Sequence, residues 1–198
     1  MRNHANILEV TDLKPDLLGF IFYRNSKRFV GDNFNPEIIH ALKHNIKTVG
    51  VFVNELPEII LEKLMLYKFD FIQLHGTESP EYCHEINKKC KILKSFGIHD
   101  KFDWSALDAY ISVCDYFLFD TSTKEYGGSG MKFNWHLLEN YHFAKPIFLS
   151  GGIGPDDVEK IKELQIPNLA GIDINSKFET EPGLKNAGLL KTFINNLR

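Results

Sequence analysis

Cysteine is scarce in this chain of 198 residues: Cys83, Cys90 and Cys114 are the whole supply. An odd count at wide spacing offers neither a disulfide framework nor a zinc pattern. Reduced thiols in a cytoplasmic protein are the expectation. Long apolar runs are missing too, and none approaches the roughly 20 residues that cross a bilayer. The opening residues MRNHANILEV hold no apolar signal-peptide core, so no membrane role is expected. Charge of one sign is never concentrated: 23 basic and 26 acidic residues give a net charge of −3 with no basic block. Binding to a phosphate backbone needs clustered Lys and Arg, so a nucleic-acid partner is not expected. There is no HExxH and no carboxylate–histidine cluster at ligand spacing, which predicts no metal. The GGSG at 127–130 fits neither a P-loop nor a dinucleotide fingerprint. Nothing resembles a linker or a low-complexity tract, so residues 1–198 read as a single domain.

What the chain does have is a regular alternation. Seven apolar runs recur: LLGFIFY at 17–23, TVGVFV at 48–53, FDFIQL at 69–74, a weaker run at 92–96, YFLFD at 116–120, PIFLS at 146–150 and LAGIDI at 169–174. Most are continuous rather than alternating, as parallel strands buried on both faces are. Amphipathic stretches separate them. Helices are expected at 3–13, 57–67, 79–89, 155–164 and 183–197, several opening with Pro in the first turn. A helix followed by seven strand–helix units predicts an α/β fold with a parallel sheet and right-handed crossovers, a TIM (β/α)₈ barrel. Because a strand precedes each helix in such repeats, the opening helix implies that the first strand is absent from this chain.

Function in such a barrel collects at the C-terminal ends of the strands. The third visible strand ends in Gln73 and His75, the fifth in Asp120, the sixth in Ser150, Gly151 and Gly152, and the seventh in Asp173, Asn175 and Ser176. The glycine pair lets backbone approach an anion, and the helix after it presents free N–H groups. Gly151, Gly152, Asn175 and Ser176 are therefore the candidate phosphate site, although two glycines also suit an ordinary tight turn. A carboxyl at an apolar barrel mouth is partly desolvated, which suits Asp120 to general-acid work; a loop-capping Asp is the alternative. Arg28 is a candidate clamp for a substrate carboxylate, since guanidinium pairs with carboxylate bidentately. Gln73 and His75 are candidate substrate walls.

Six stretches carry a family resemblance: GFIFYRNSKRFV from Gly19, VGVFVNE from Val49, FIQLHGTES from Phe71, FLFDTSTKEYGGSGMKFNW from Phe117, FLSGGIGPDDV from Phe148 and GIDINSKFETEPGLK from Gly171. In this order, over almost the whole length, they resemble phosphoribosylanthranilate isomerase of tryptophan biosynthesis. The resemblance implies an Amadori rearrangement of N-(5′-phosphoribosyl)anthranilate, a small-molecule phosphosugar, to 1-(2-carboxyphenylamino)-1-deoxyribulose 5-phosphate, with no cofactor. It implies Asp120 as general acid, Arg28 on the anthranilate carboxylate, Asp173 beside the ribose, and Gly151, Gly152, Asn175 and Ser176 around the phosphate. It also implies a general base, a cysteine in a Cys-Gly-Met motif, that would lie before Met1, so this chain is expected to hold half of the catalytic pair. Lys177 stands where many relatives have Gly, and Asn186 where many have Asp. A monomer or homodimer is expected. The alternatives are a non-catalytic phosphosugar-binding barrel, or another phosphosugar isomerase or epimerase on the same fold.

Overall fold

The computed structural model describes residues 1–42, 46–121, 132–166 and 168–198. Its centre is a parallel sheet of β1 (Leu17–Ile21), β2 (Lys47–Phe52), β3 (Phe71–Leu74), β4 (Lys91–Ile98), β5 (Tyr116–Thr121), β6 (Ile147–Leu149) and β7 (Leu169–Ile172). Each strand pairs in parallel with the next one in sequence, giving the order β1-β2-β3-β4-β5-β6-β7. All seven runs read from the sequence are strands. Continuous apolar runs suit them because both faces are covered: Phe20, Phe52, Ile72, Ile92, Phe117 and Phe119 are buried on one face, and Val49, Leu93 and Leu118 on the other. The sheet curls as a partial barrel, and β1 and β7 are not paired with each other among the described residues. The Met1 amine donates to the Gly19 carbonyl of β1 at 3.1 Å.

The helices are less regular than the pattern suggests. They are α1 (His4–Thr11), α2 (Pro36–His40), α3 (Pro57–Tyr67), α4 (Pro80–Asn87), α5 (Val158–Glu163) and α6 (Ala187–Leu197). Local chemistry sets their ends. Ser79 accepts a hydrogen bond from the Tyr82 N–H, and Pro80 occupies the first turn, where no N–H is needed. Lys68 stops α3 in the left-handed conformation, with φ 53°. Among the described residues, the helical turns in the connections after β4 and β5 are the 3₁₀ turns Trp104–Tyr110 and Trp135–Asn140. Their aromatic residues pack against the sheet: Trp104 lies edge-on to Phe119 at 5.7 Å, and Tyr141 to Phe119 at 5.3 Å.

The closing helix needs a correction. The expected start at 183 fails, because Glu179–Glu181 (β8) and Leu184–Lys185 (β9) form an antiparallel hairpin before α6 begins. Gly183 sits at the turn with φ 87°, directly after Pro182. That Pro-Gly pair is an ordinary turn signal, which the helical spacing of the later leucines overrode. Asn186 then caps α6 by accepting from the Leu189 N–H. This hairpin turns out to matter for the site.

Candidate active site

A cavity of about 550 Å³ opens where the strands end, and it also reaches between β1 and β7. Its polar rim includes Gln73, His75, Asp120, Ser150, Gly151, Gly152, Asp173, Asn175, Ser176 and Lys185. Eight of the nine residues singled out from the sequence thus share one cavity; Arg28 does not line it. The lower wall is apolar, with Val49, Val51, Leu93, Leu118 and Phe148 among its residues. A few convergent polar groups over an apolar floor are the usual make-up of a small-molecule site. The GGSG at 127–130 lies outside the described residues.

Asp120 is held at the end of β5. Its Oδ1 accepts from the Thr121 N–H at 2.7 Å, and its Oδ2 lies 3.4 Å from His75 Nε2. Gln73 Nε2 is 2.8 Å from His75 Nδ1 and donates to Ser95 Oγ at 3.2 Å. When the Gln73 amide donates to Nδ1, the imidazole proton sits on Nε2 and faces Asp120. Gln73 and His75 therefore orient the carboxylate as well as forming a wall.

The glycine pair is shaped for close approach. Gly151 and Gly152 have φ of 91° and 64°, a region that side chains disfavour. A Cβ at Gly151 would collide with the Thr121 hydroxyl and come within 3.0 Å of Asp120 Oδ1. The turn after β6 thus lies directly against the end of β5, which places candidate phosphate groups beside the candidate acid.

Asp173 follows β7. Its N–H donates to the Leu149 carbonyl at 2.7 Å, and Ser150 Oγ donates to its Oδ2 at 3.1 Å. Asp173 is half-buried, with part of its surface facing the cavity. Burial pushes its carboxyl above the usual range, the Asp120 charge adds to this, and the Ser150 hydrogen bond and His75 oppose it. A raised folded-state value means that the folded protein binds this proton more tightly than the unfolded chain does. The favourable contribution is full below the unfolded value and is lost as pH rises through the folded one. The charged Asp173 therefore weakens the fold at neutral pH. Asp173→Asn is expected to melt at a higher temperature than the unaltered protein at pH 7, with the gap closing as pH falls through the raised folded value and gone by about pH 4, the ordinary value for an unfolded Asp. Melting curves from pH 4 to 8 check this, and a lower melting temperature for the variant at pH 7 would refute it.

Arg28 is placed by a loop that folds back on β1, where Val30 N–H donates to the Ile21 carbonyl at 3.0 Å. Its guanidinium meets the Glu179 carboxylate, with Nε to Oε2 at 2.8 Å and Nη2 to Oε2 at 2.6 Å. Ser26, which accepts from the Arg28 N–H, does line the cavity. Sequence reasoning missed Glu179 and Lys185. The Pro-Gly turn could have located their hairpin, but nothing local could have paired Glu179 with a residue 151 positions away.

No cysteine of the chain lines the cavity: Cys83 is buried in α4, Cys114 is buried ahead of β5, and Cys90 precedes β4. Among the described residues, no group of three His, Cys, Asp or Glu side chains could hold a metal ion, and no helix is long and apolar enough to cross a membrane.

A family model described as N-(5′-phosphoribosyl)anthranilate (PRA) isomerase matches residues 1–196. A relative from Parabacteroides distasonis, named N-(5′-phosphoribosyl)anthranilate isomerase, is 45% identical over 199 aligned residues, covering 100% of this chain and 90% of the relative. The crystal structure of phosphoribosyl anthranilate isomerase from Thermotoga maritima superposes with a TM-score of 0.88 at 34% identity, covering 100% of this chain and 95% of that one. A second structure of a phosphoribosyl anthranilate isomerase is in complex with reduced 1-(o-carboxyphenylamino)-1-deoxyribulose 5-phosphate. It superposes with a TM-score of 0.85 at 30% identity, covering 100% of this chain and 94% of that one.

Proposed function

The chain belongs to the N-(5′-phosphoribosyl)anthranilate isomerase family of tryptophan biosynthesis, and we propose how its residues divide the work of that isomerisation. The observation that carries this reading is a single cavity in which Asp120 lies against the Gly151–Gly152 turn and which Asp173 and the Asn175–Ser176 loop also line. The substrate is a ring-closed aminosugar with a phosphate at one end and a benzoate at the other. Asp120 gives its proton to the ring oxygen. The C1′–O bond then breaks, and the electron pair on the anthranilate nitrogen forms the C1′=N bond. Loss of the C2′ proton gives an enamine with a hydroxyl on C2′, which becomes the ketone on proton return to C1′. None of the three cysteines supplies the base for the C2′ proton, since none reaches the cavity.

Gly151, Gly152, Asn175 and Ser176 hold the phosphate through backbone N–H groups and the Ser176 hydroxyl. Asp173, fixed by Ser150, accepts from a ribose hydroxyl. Arg28 takes the anthranilate carboxylate through the guanidinium edge that Glu179 leaves free. The rearrangement is redox-neutral overall and each step is a proton transfer or a bond shift, so it calls for an acid and a base rather than a cofactor. We read residues 1–198 as one barrel domain, because a single hydrophobic cluster runs from Met1 to Phe193. Three free thiols fit a reducing cytoplasm.

Mixing the protein with N-(5′-phosphoribosyl)anthranilate tests the reading: the substrate is expected to disappear as the ketone forms. A folded sample that neither converts it nor binds the reduced ketone product would refute it.

A further inference from the structure

The hairpin of β8 and β9 anchors a charge cluster of Glu179, Lys185 and Arg28, of which the mechanism above gives a task to Arg28 alone. Glu179 is its hub. Its side chain is 4% exposed, that of Lys185 9% and that of Arg28 11%. Oε1 accepts from Arg28 Nε at 3.0 Å, Lys185 Nζ at 3.0 Å and the Gly183 N–H at 3.1 Å, while Oε2 accepts from Arg28 Nε and Nη2. Lys185 Nζ also donates to the Asn175 carbonyl at 3.0 Å and to Asn175 Oδ1. Burial works against the Glu179 charge, but the Arg28 hydrogen bond and the Lys185 charge outweigh it and hold the carboxyl below the usual range. Burial lowers the Lys185 ammonium, against the pull of Glu179.

Two geometric facts give this cluster a use. First, a guanidinium has five N–H donors in a fixed fork. Glu179 occupies the Nε–Nη2 side, so the Nη1–Nη2 end remains for a second carboxylate. A free Arg side chain would have to give up rotamer freedom on binding, whereas one already clamped on its side has little left to lose. Second, the other arm of the cluster grips Asn175, which belongs to the candidate phosphate loop. One carboxylate thus spans the groups proposed for the two anionic ends of the substrate. The formal sum of Arg28, Glu179 and Lys185 is one positive charge, so the cluster still attracts an anion.

We propose that Glu179 is a positioning residue for substrate recognition: it presents the outer edge of Arg28 to the ring carboxylate and, through Lys185, fixes the distance from that clamp to the Asn175–Ser176 loop. This rests on the assignment of Arg28 to the substrate carboxylate, so the experiment separates the two. Calorimetry measures the affinity of reduced 1-(o-carboxyphenylamino)-1-deoxyribulose 5-phosphate and of the same compound without its ring carboxylate. The unaltered protein should prefer the first by about 10- to 100-fold, the range for a charge-assisted hydrogen-bonded pair. Arg28→Met should abolish the preference. Glu179→Gln should lose most of it, weakening the carboxylate-bearing compound far more than the carboxylate-free one, which never uses the clamp and loses only the support that reaches the phosphate loop through Lys185.

If Arg28→Met keeps the preference, the assignment of Arg28 is wrong and the role of Glu179 falls with it. If Arg28→Met loses the preference but Glu179→Gln keeps it, Arg28 is the clamp and the positioning role is overturned. Equal weakening of both compounds by Glu179→Gln would mean that the residue only supports the fold. Should Glu179→Gln not fold, Lys185→Met tests the other arm: both compounds should bind more weakly by the same factor, and unchanged binding would overturn the proposed span.

Discussion

Replacing Asp120 by Asn is expected to lower kcat by about 10²- to 10⁴-fold, the usual contribution of a positioned general acid. At 1.36 kcal/mol per tenfold, that is roughly 3–5.5 kcal/mol of barrier. The substitution removes the transferable proton and keeps the size and the Thr121 contact, while an amide NH₂ replaces the carboxylate oxygen beside His75 Nε2. Asn keeps an oxygen to accept the Thr121 N–H, which now reaches Asp120 Oδ1 at 2.7 Å. It has the same size in the space bounded by His75 and Gly151. What it lacks is an O–H to give to the ribose ring oxygen. The groups proposed to hold the phosphate and the benzoate are untouched, so KM and the affinity for the reduced ketone should stay within a few-fold. A fall in kcat without a matching rise in KM marks an interaction made only in the transition state. Steady-state kinetics with N-(5′-phosphoribosyl)anthranilate measure both. A kcat within about threefold of the unaltered protein, well short of that range, would remove Asp120 from the acid role.

The parts of this molecule legible in its sequence are those set by burial and by local turns. Runs such as YFLFD had to be interior strands because no face of them tolerates water, and β5 is Tyr116–Thr121. Once the strands were placed, polar residues at their ends fell on one rim, and eight of the nine do line one cavity. The connections were harder. A 3₁₀ turn such as Trp104–Tyr110 has no apolar stripe of helical period; its aromatic residues are placed by the sheet they pack on. Long-range ion pairs were invisible. Arg28 read alone is a solvated loop residue or a ligand clamp, and only the fold brings Glu179 to it. Lys94 is a similar case. Within KILKSFGI a lysine suggests a strand with one face in water, yet its side chain is 2% exposed.

That lysine carries the largest expected effect on stability. Lys94 Nζ lies 3.1 Å from Glu78 Oε2, and the Glu78 side chain is 1% exposed. The ammonium also donates to the carbonyls of Gly76 at 2.8 Å, Ser95 at 3.0 Å and Leu74 at 3.3 Å. Four acceptors surround three protons, so the charge is fully satisfied. Glu78 in turn accepts the Asn54 N–H at 2.9 Å and the Gly76 N–H at 3.0 Å. Lys94→Met keeps the volume and removes the charge, which leaves Glu78 buried without its counter-ion. Breaking such a pair from one side costs about 3–5 kcal/mol, against a total stability of about 5–15 kcal/mol for a domain. For a chain of this size that is a fall in Tm of roughly 6–20 °C. The double variant Lys94→Met/Glu78→Gln should recover part of the loss, because removing both charges leaves no uncompensated ion. The damage should also reach the site. Gly76 directly follows His75, whose N–H donates to the Phe52 carbonyl at 2.8 Å and whose ring faces Asp120. Without Lys94, the turn after β3 loses the hydrogen bonds at the Leu74 and Gly76 carbonyls on either side of His75, so turnover measured well below the variant's Tm should fall as well. Melting curves of the two variants check the energetics: a Tm for Lys94→Met within about 2 °C of the unaltered protein would correspond to less than roughly 1 kcal/mol and show that the pair contributes little.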